Sequence, residues 1–212
     1  VYGVVPAPIP VGAPSGPVAP GDGPYTAEVK IYTRGGDDGT TALFYGGRVR
    51  KHDAGPTCYG ATDEAVSVIG LARADTEPGS EIFDLLVRLQ RELFVVGAEL
   101  ATAPENRAKL VDGTSRVTAD MVSALEPIID AVTERFAMPQ EFVLPGENRV
   151  SAALDVARTV VRRAERDCVA ATEVEWLEPT SQVVPYLNRL ADLLWTLARW
   201  QEGAFRPARP VD

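Results

Sequence analysis

The segment Val156–Arg166, VARTVVRRAER, sets Arg158, Arg162, Arg163, Arg166 and Glu165 along one stretch of chain. Arg158, Arg162 and Glu165 fall at i, i+4 and i+7, so their side chains stack on a single helical face. Beside them Val150, Leu154, Ala157, Val161, Ala164, Cys168 and Ala171 recur at alternating intervals of four and three residues, the spacing of a seam buried in a bundle. Guanidinium groups at the edge of such a seam have restricted rotamers and suit a polyanion such as a triphosphate. An Arg/Glu helix on its own is more often a surface ladder of ion pairs. A second segment bears on the choice: Lys30–Thr41, KIYTRGGDDGTT, followed by Arg48, Arg50 and Lys51. Gly35, Gly36 and Gly39 permit close backbone approach, Thr33, Thr40 and Thr41 offer hydroxyls, and Arg34 and Lys51 add charge, which together are the parts of a phosphate cradle. It is neither a GxxxxGK[ST] loop nor a GxGxxG turn. Taken alone, GGDDG reads as a turn capped by Asp.

Helical periodicity runs through the chain from Asp53 onward. Helices are predicted over Thr57–Ala74, Ser80–Thr102, Thr118–Phe136, Arg149–Ala171 and Ser181–Arg199. Ser80, Thr118 and Ser181 are expected caps, and Ile82, Leu85, Leu86, Leu89, Leu93, Val96 and Leu100 form the buried stripe of the second helix. Breaks fall at Glu77-Pro78-Gly79, Pro104, Leu144-Pro145-Gly146 and Pro179. The expectation is an all-α fold, a five-helix bundle preceded by an extended anion-binding loop. Residues 1–24, rich in Pro, Gly and Val, are predicted to be a flexible tail, residues 25–202 the folded domain, and residues 203–212 an exposed C-terminal tail.

At 212 residues with 45% hydrophobic content, the chain is sized for one domain with a full core. A net charge of −9 argues against a nucleic-acid surface, and the arginine cluster on that acidic background points to a focused anion site. Cys58 and Cys168, with no CxxC, indicate neither a zinc site nor a disulfide framework and fit small buried residues in a reducing compartment. No apolar run is long enough for a membrane span. The single histidine, His52, leaves no Ser–His–Asp or histidine-rich metal mechanism, and His52 itself reads as a loop residue. The expected location is the cytoplasm, with the mitochondrial matrix as the alternative.

KIYTRGGDDGTT, ATDEAVSVIGLA (Ala61–Ala72), FVLPG (Phe142–Gly146), VARTVVRRAER and YLNRLADLLWTLAR (Tyr186–Arg199) follow one another in a family-specific order. Over about Lys30 to Arg199 the chain resembles the PduO-type ATP:cob(I)alamin adenosyltransferases. The resemblance implies a ferritin-like bundle that assembles as a homotrimer with its sites between subunits, and transfer of the 5′-deoxyadenosyl group of ATP to cobalt(I). Cobalt(I) is itself a strong nucleophile, so the protein must align the ribose 5′-carbon and stabilise the leaving triphosphate. By motif, ATP would be held by Thr33, Arg34, Gly35, Gly36, Thr41, Lys51, Arg162, Arg163, Ala164, Glu165, Arg166 and Asn188. The implied catalytic residues are Arg158, Arg162, Glu165, Asp63 and Phe142. Arg158 would pair with Asp63 of a neighbouring subunit. Phe142 would pack beneath the corrin and displace its lower ligand, giving a four-coordinate cob(II)alamin that is easier to reduce. Phe136 and Met138 would help line that apolar pocket. Mg²⁺ or K⁺ are the implied ion partners, with an adenosylcobalamin-dependent mutase and a flavoprotein reductant as further partners.

The chain departs from the family pattern at Glu147 and Asn148, where PGG and a small residue are usual, at Asp155, where a histidine is usual, and at Ala65, where DEL has its leucine. The first two lie near the expected corrin side. Two other readings stay open from the sequence: a cobalamin carrier that hands adenosylcobalamin to a mutase, and a non-catalytic helical interaction protein.

Overall fold

The computed structural model describes Tyr32 and residues 34–209. The predicted N-terminal tail, Lys30 and Thr33 lie outside the described residues. Residues 1–34 form a unit of their own, in which the Arg34 guanidinium lies 5.9 Å from the Tyr32 ring centroid. Residues 35–212 form the second unit.

That unit opens with an antiparallel hairpin of β1 (Thr40–Ala42) and β2 (Arg48–Arg50), in which Thr41 faces Val49. Among the described residues six α-helices follow: α1 (Ala54–Ala74), α2 (Glu81–Leu100), α3 (Ala119–Ser123), α4 (Glu126–Thr133), α5 (Arg149–Glu173) and α6 (Val183–Glu202). A 3₁₀ turn spans Pro104–Lys109. Strands β3 (Val143–Leu144) and β4 (Arg206–Pro207) pair antiparallel. The helix α1 packs on α2 and α5, while α6 packs on α5 and α4.

Several boundaries differ from the sequence expectation for identifiable reasons. Helix α1 begins at Ala54 rather than Thr57, because Pro56 sits in its first turn, where no backbone N–H is needed. The predicted third helix is two. Pro127 has no N–H for the carbonyl of Ser123 and its ring would crowd that group, so α3 ends there and α4 starts anew with the proline in its first turn. Ser181 is not the residue that caps α6: Gln182 is, while the Ser181 hydroxyl accepts from the Val183 amide at 3.2 Å and donates to Glu99 Oε1 at 2.5 Å. The predicted C-terminal tail is partly structured, since Arg206 and Pro207 make strand β4.

The expected seam of α5 is buried from Leu154 to Ala171, with Val150 packed at its edge. Small residues meet across the α1–α5 contact: Cys58, Ala61, Ala65 and Ala72 from α1, and Ala157, Ala164, Cys168 and Ala171 from α5. Larger side chains, Leu86, Leu89 and Leu93 of α2 and Tyr186, Leu187, Leu190 and Leu194 of α6, fill the remaining core. The small residues let α5 lie close to α1, so the arginines at its edge are carried on a backbone with little freedom to move.

Candidate functional site

The expected residues gather in three places. The first is the loop from Gly35 to Lys51. Gly39, at φ 82°, takes a conformation that favours glycine, and its carbonyl accepts the Lys51 amide at 2.9 Å. The Thr40 amide and hydroxyl donate to Asp38 Oδ1 at 2.9 and 2.7 Å. The Thr40 hydroxyl bond, with the amide bond second, holds the Asp38 carboxyl below its ordinary value. Arg48 ties the loop together, donating through Nε and Nη2 to Thr40 Oγ1 at 3.1 and 2.7 Å and through Nη2 to the Gly35 carbonyl. A methyl on Gly36 would sit 3.1 Å from both Lys51 Nζ and the Thr40 carbonyl. The absence of a side chain there is what lets the ammonium lie against the backbone. Thr41 is half-buried in β1, and Lys51 and His52 are exposed just after β2.

The second place is the outer face of α5 and its neighbours. Arg162, Arg163 and Arg166 are exposed, while Ala164 belongs to the core. Arg163 pairs with Glu64 of α1, and Arg166 Nη1 donates to the Arg162 carbonyl at 3.0 Å. Asn188 Nδ2 of α6 donates to Glu165 Oε1 at 3.0 Å, joining two residues that the sequence had marked separately. Asp63 is exposed on α1, and no described residue pairs with its carboxylate.

The third place is an open cavity of about 1140 Å³ whose lining includes Phe142, Val143, Asp155, Arg158, Trp195 and Arg199. Phe142 is 88% exposed, which for a phenyl ring is an unsatisfied apolar surface. Its backbone is held: the carbonyl accepts the Ala208 amide at 2.7 Å, next to the β3–β4 pair. Arg158 Nε donates to Asp155 Oδ1 at 3.3 Å. Asp155 in turn pairs with Arg199 of α6, and Arg199 Nε lies 2.8 Å from Glu202 Oε2. Burial pushes the Glu202 carboxyl up, with Arg199 opposing it.

Some site expectations are corrected. Neither Phe136 nor Met138 lines the cavity; Phe136 packs against the core instead. Asn148 caps α5, its Oδ1 accepting the Ser151 amide at 2.9 Å while Ser151 Oγ accepts the Asn148 amide at 3.2 Å. Glu147 pairs with Arg206 at 3.0 Å. Both departures from the family pattern therefore do structural work around β3 and the start of α5. Arg48 and Arg199 are residues whose roles sequence reasoning missed: Arg48 acts across the turn of its own loop, on Thr40 and Gly35, and Arg199 acts on Asp155 from another helix.

The model for "Cobalamin adenosyltransferase" matches residues 31–201. The chain belongs to the cobalamin adenosyltransferase family. Among its relatives, the corrinoid adenosyltransferase of Citrobacter freundii is 40% identical over 173 residues, covering 82% of this chain and 95% of that protein. The corrinoid adenosyltransferase of Mycobacterium tuberculosis (strain ATCC 25618 / H37Rv) is 40% identical over 188 residues, covering 84% and 96%. Among solved structures, a variant PduO-type ATP:corrinoid adenosyltransferase from Lactobacillus reuteri, complexed with cobalamin and ATP, superposes with a TM-score of 0.75 at 28% identity. That match covers 85% of this chain and all of the other. As an adenosyltransferase of this family the chain is an enzyme, and none of its described helices is long and apolar enough to cross a membrane.

Proposed function

We propose that the chain transfers the 5′-deoxyadenosyl group of ATP to cob(I)alamin. The cobalt(I) electron pair forms the Co–C5′ bond, the C5′–O bond breaks, and its electrons leave with triphosphate. The observation that carries the reading is the cavity that joins an exposed Phe142 to Arg158, in a chain of this family. Cob(I)alamin needs no protein nucleophile, so the protein's tasks are alignment and charge stabilisation. Thr33, Arg34, Gly35, Gly36, Thr41 and Lys51 are assigned to ATP together with Arg162, Arg163, Ala164, Glu165, Arg166 and Asn188. The bond between Glu165 and Asn188 supports their acting as one unit. Mg²⁺ or K⁺ would accompany the triphosphate and offset its charge.

Phe142 is assigned to the lower face of the corrin, where it would displace the axial ligand and ease reduction of cob(II)alamin. Taking α3 and α4 as one broken element would make the architecture the five-helix bundle that the resemblance implies. Assembly as a homotrimer would bring Asp63 of the partner subunit to Arg158. Among the described residues nothing pairs with the Asp63 carboxylate or bonds to the Nη groups of Arg158, which supports that pairing. The domain would run from residue 25 to 202, with β4 extending it. An adenosylcobalamin-dependent mutase and a flavoprotein reductant are the proposed partners in the cell.

The test is anaerobic: purified protein, ATP, Mg²⁺ and chemically reduced cob(I)alamin, followed by absorbance. Loss of the cob(I)alamin band with growth of a light-sensitive alkylcobalamin is the expected result. ATP binding without conversion would defeat the transferase reading and leave the carrier.

A further inference from the structure

Asp155 is the only acidic residue that α5 buries, at 4% exposure. Its carboxylate is gripped from two helices. Oδ1 accepts Nε of Arg158, one turn along α5, at 3.3 Å, and Oδ2 accepts Nη2 of Arg199 from α6. Arg199 is itself buried, with 2% side-chain exposure. It is held by Glu202 at 2.8 Å and lies 5.6 Å from the Trp195 ring centroid. Asp155, Arg158, Trp195 and Arg199 all face the cavity that contains Phe142.

Burying a carboxylate is costly unless cations lie against it, and of the two cations here one is fixed while the other is not. Arg199 is enclosed by Asp155, Glu202 and Trp195. Arg158 has 27% side-chain exposure and is attached through Nε alone, its Nη groups making no hydrogen bond among the described residues. A guanidinium tethered at Nε has its plane set while its two outer nitrogens point away from the tether. Without Asp155 no described residue of its own subunit would hold the long side chain at the cavity wall.

We propose that Asp155 is a positioning residue: it fixes the Arg158 guanidinium at the cavity wall, and Arg199 holds Asp155 in place from α6. The inference rests on the transferase reading of the same cavity. Its test has one readout that does not depend on turnover, the Nε–H resonance of Arg158 in ¹⁵N-labelled protein, assigned by its loss in Arg158→Lys. Asp155→Asn keeps the shape and removes the charge. The expected result is that the Arg158 resonance moves to the position of exposed arginines. The kcat/KM for cob(I)alamin should fall about tenfold, with ATP affinity unchanged within about twofold. Asp155→Asn/Arg158→Lys should be no slower than Arg158→Lys alone, since both changes remove one interaction. An unmoved resonance, or penalties that multiply in the double variant, would overturn the proposal. Should the single variant fail to fold, Asp155→Asn/Arg199→Met removes the buried pair together and must release the Arg158 resonance in the same way. If the unaltered protein converts no cob(I)alamin, the transferase reading fails, while the resonance still decides what Asp155 does.

Discussion

Phe142→Ala should separate two activities that share one active site. The ring is 88% exposed and absent from the core, so truncation changes folding stability by no more than about 0.5 kcal/mol, or roughly 2 °C in the melting midpoint. If the ring packs beneath a corrin, binding removes roughly 150 Å² of apolar surface from water. At ~25 cal/mol per Å² that is about 4 kcal/mol, an upper limit near a thousandfold in rate. The stabilisation is needed only while the lower ligand is displaced, which is the step that prepares cob(II)alamin for reduction. Anaerobic assays with cob(II)alamin and a reductant should therefore lose about 100- to 1000-fold, whereas assays with pre-reduced cob(I)alamin lose less than about tenfold. Equal losses in both assays would refute the role given to Phe142. A melting midpoint lowered by many degrees would refute the claim that the ring is not structural.

Other outcomes follow from particular contacts. Gly36→Ala places a methyl 3.1 Å from Lys51 Nζ and the Thr40 carbonyl; calorimetry should find ATP binding weakened about tenfold with the melting midpoint nearly unchanged. Asn148→Ala removes the cap of α5 and should lower stability by about 1 kcal/mol in thermal or urea melts. Burial raises the Glu99 carboxyl above its ordinary value, against the bonds from Ser181 and the Val117 amide. A raised folded-state value means the group favours folding below its unfolded value and loses that contribution as pH rises through the folded one. Glu99→Gln should accordingly melt higher than the unaltered protein at neutral pH, and the gap should close below about pH 4. A gap that widens in acid would contradict that account.

Near-neighbour signals explain what is legible in the sequence alone. The seam of α5, the stripe of α2 and the arginines of VARTVVRRAER are read from intervals of three and four residues, and the structure buries or exposes them accordingly. Helix pitch is local, so a few turns of sequence contain the whole pattern. Even the split between α3 and α4 was written locally, in Pro127, although the apolar periodicity on either side of it masks the break. The order of the five motifs likewise needs no tertiary structure to be recognised.

Contacts between distant residues were a different matter. The Asp155–Arg199 pair spans 44 positions and the Arg206–Glu147 pair spans 59. Strands β3 and β4 have only two residues each, too few for an alternating pattern to declare itself. Whether an aspartate is solvated or buried against an arginine depends on which helix lies beside it, and periodicity along one helix carries no information about its neighbour. The helices, their apolar faces and the arginine-rich segment are legible in the order of residues along the chain. That Phe142 stands exposed in the same cavity as Arg158, and that a buried carboxylate ties that arginine to α6, emerges from the packing of separate elements. Charge pairing and cavity shape depend on packing between elements, and packing is a property of the whole fold.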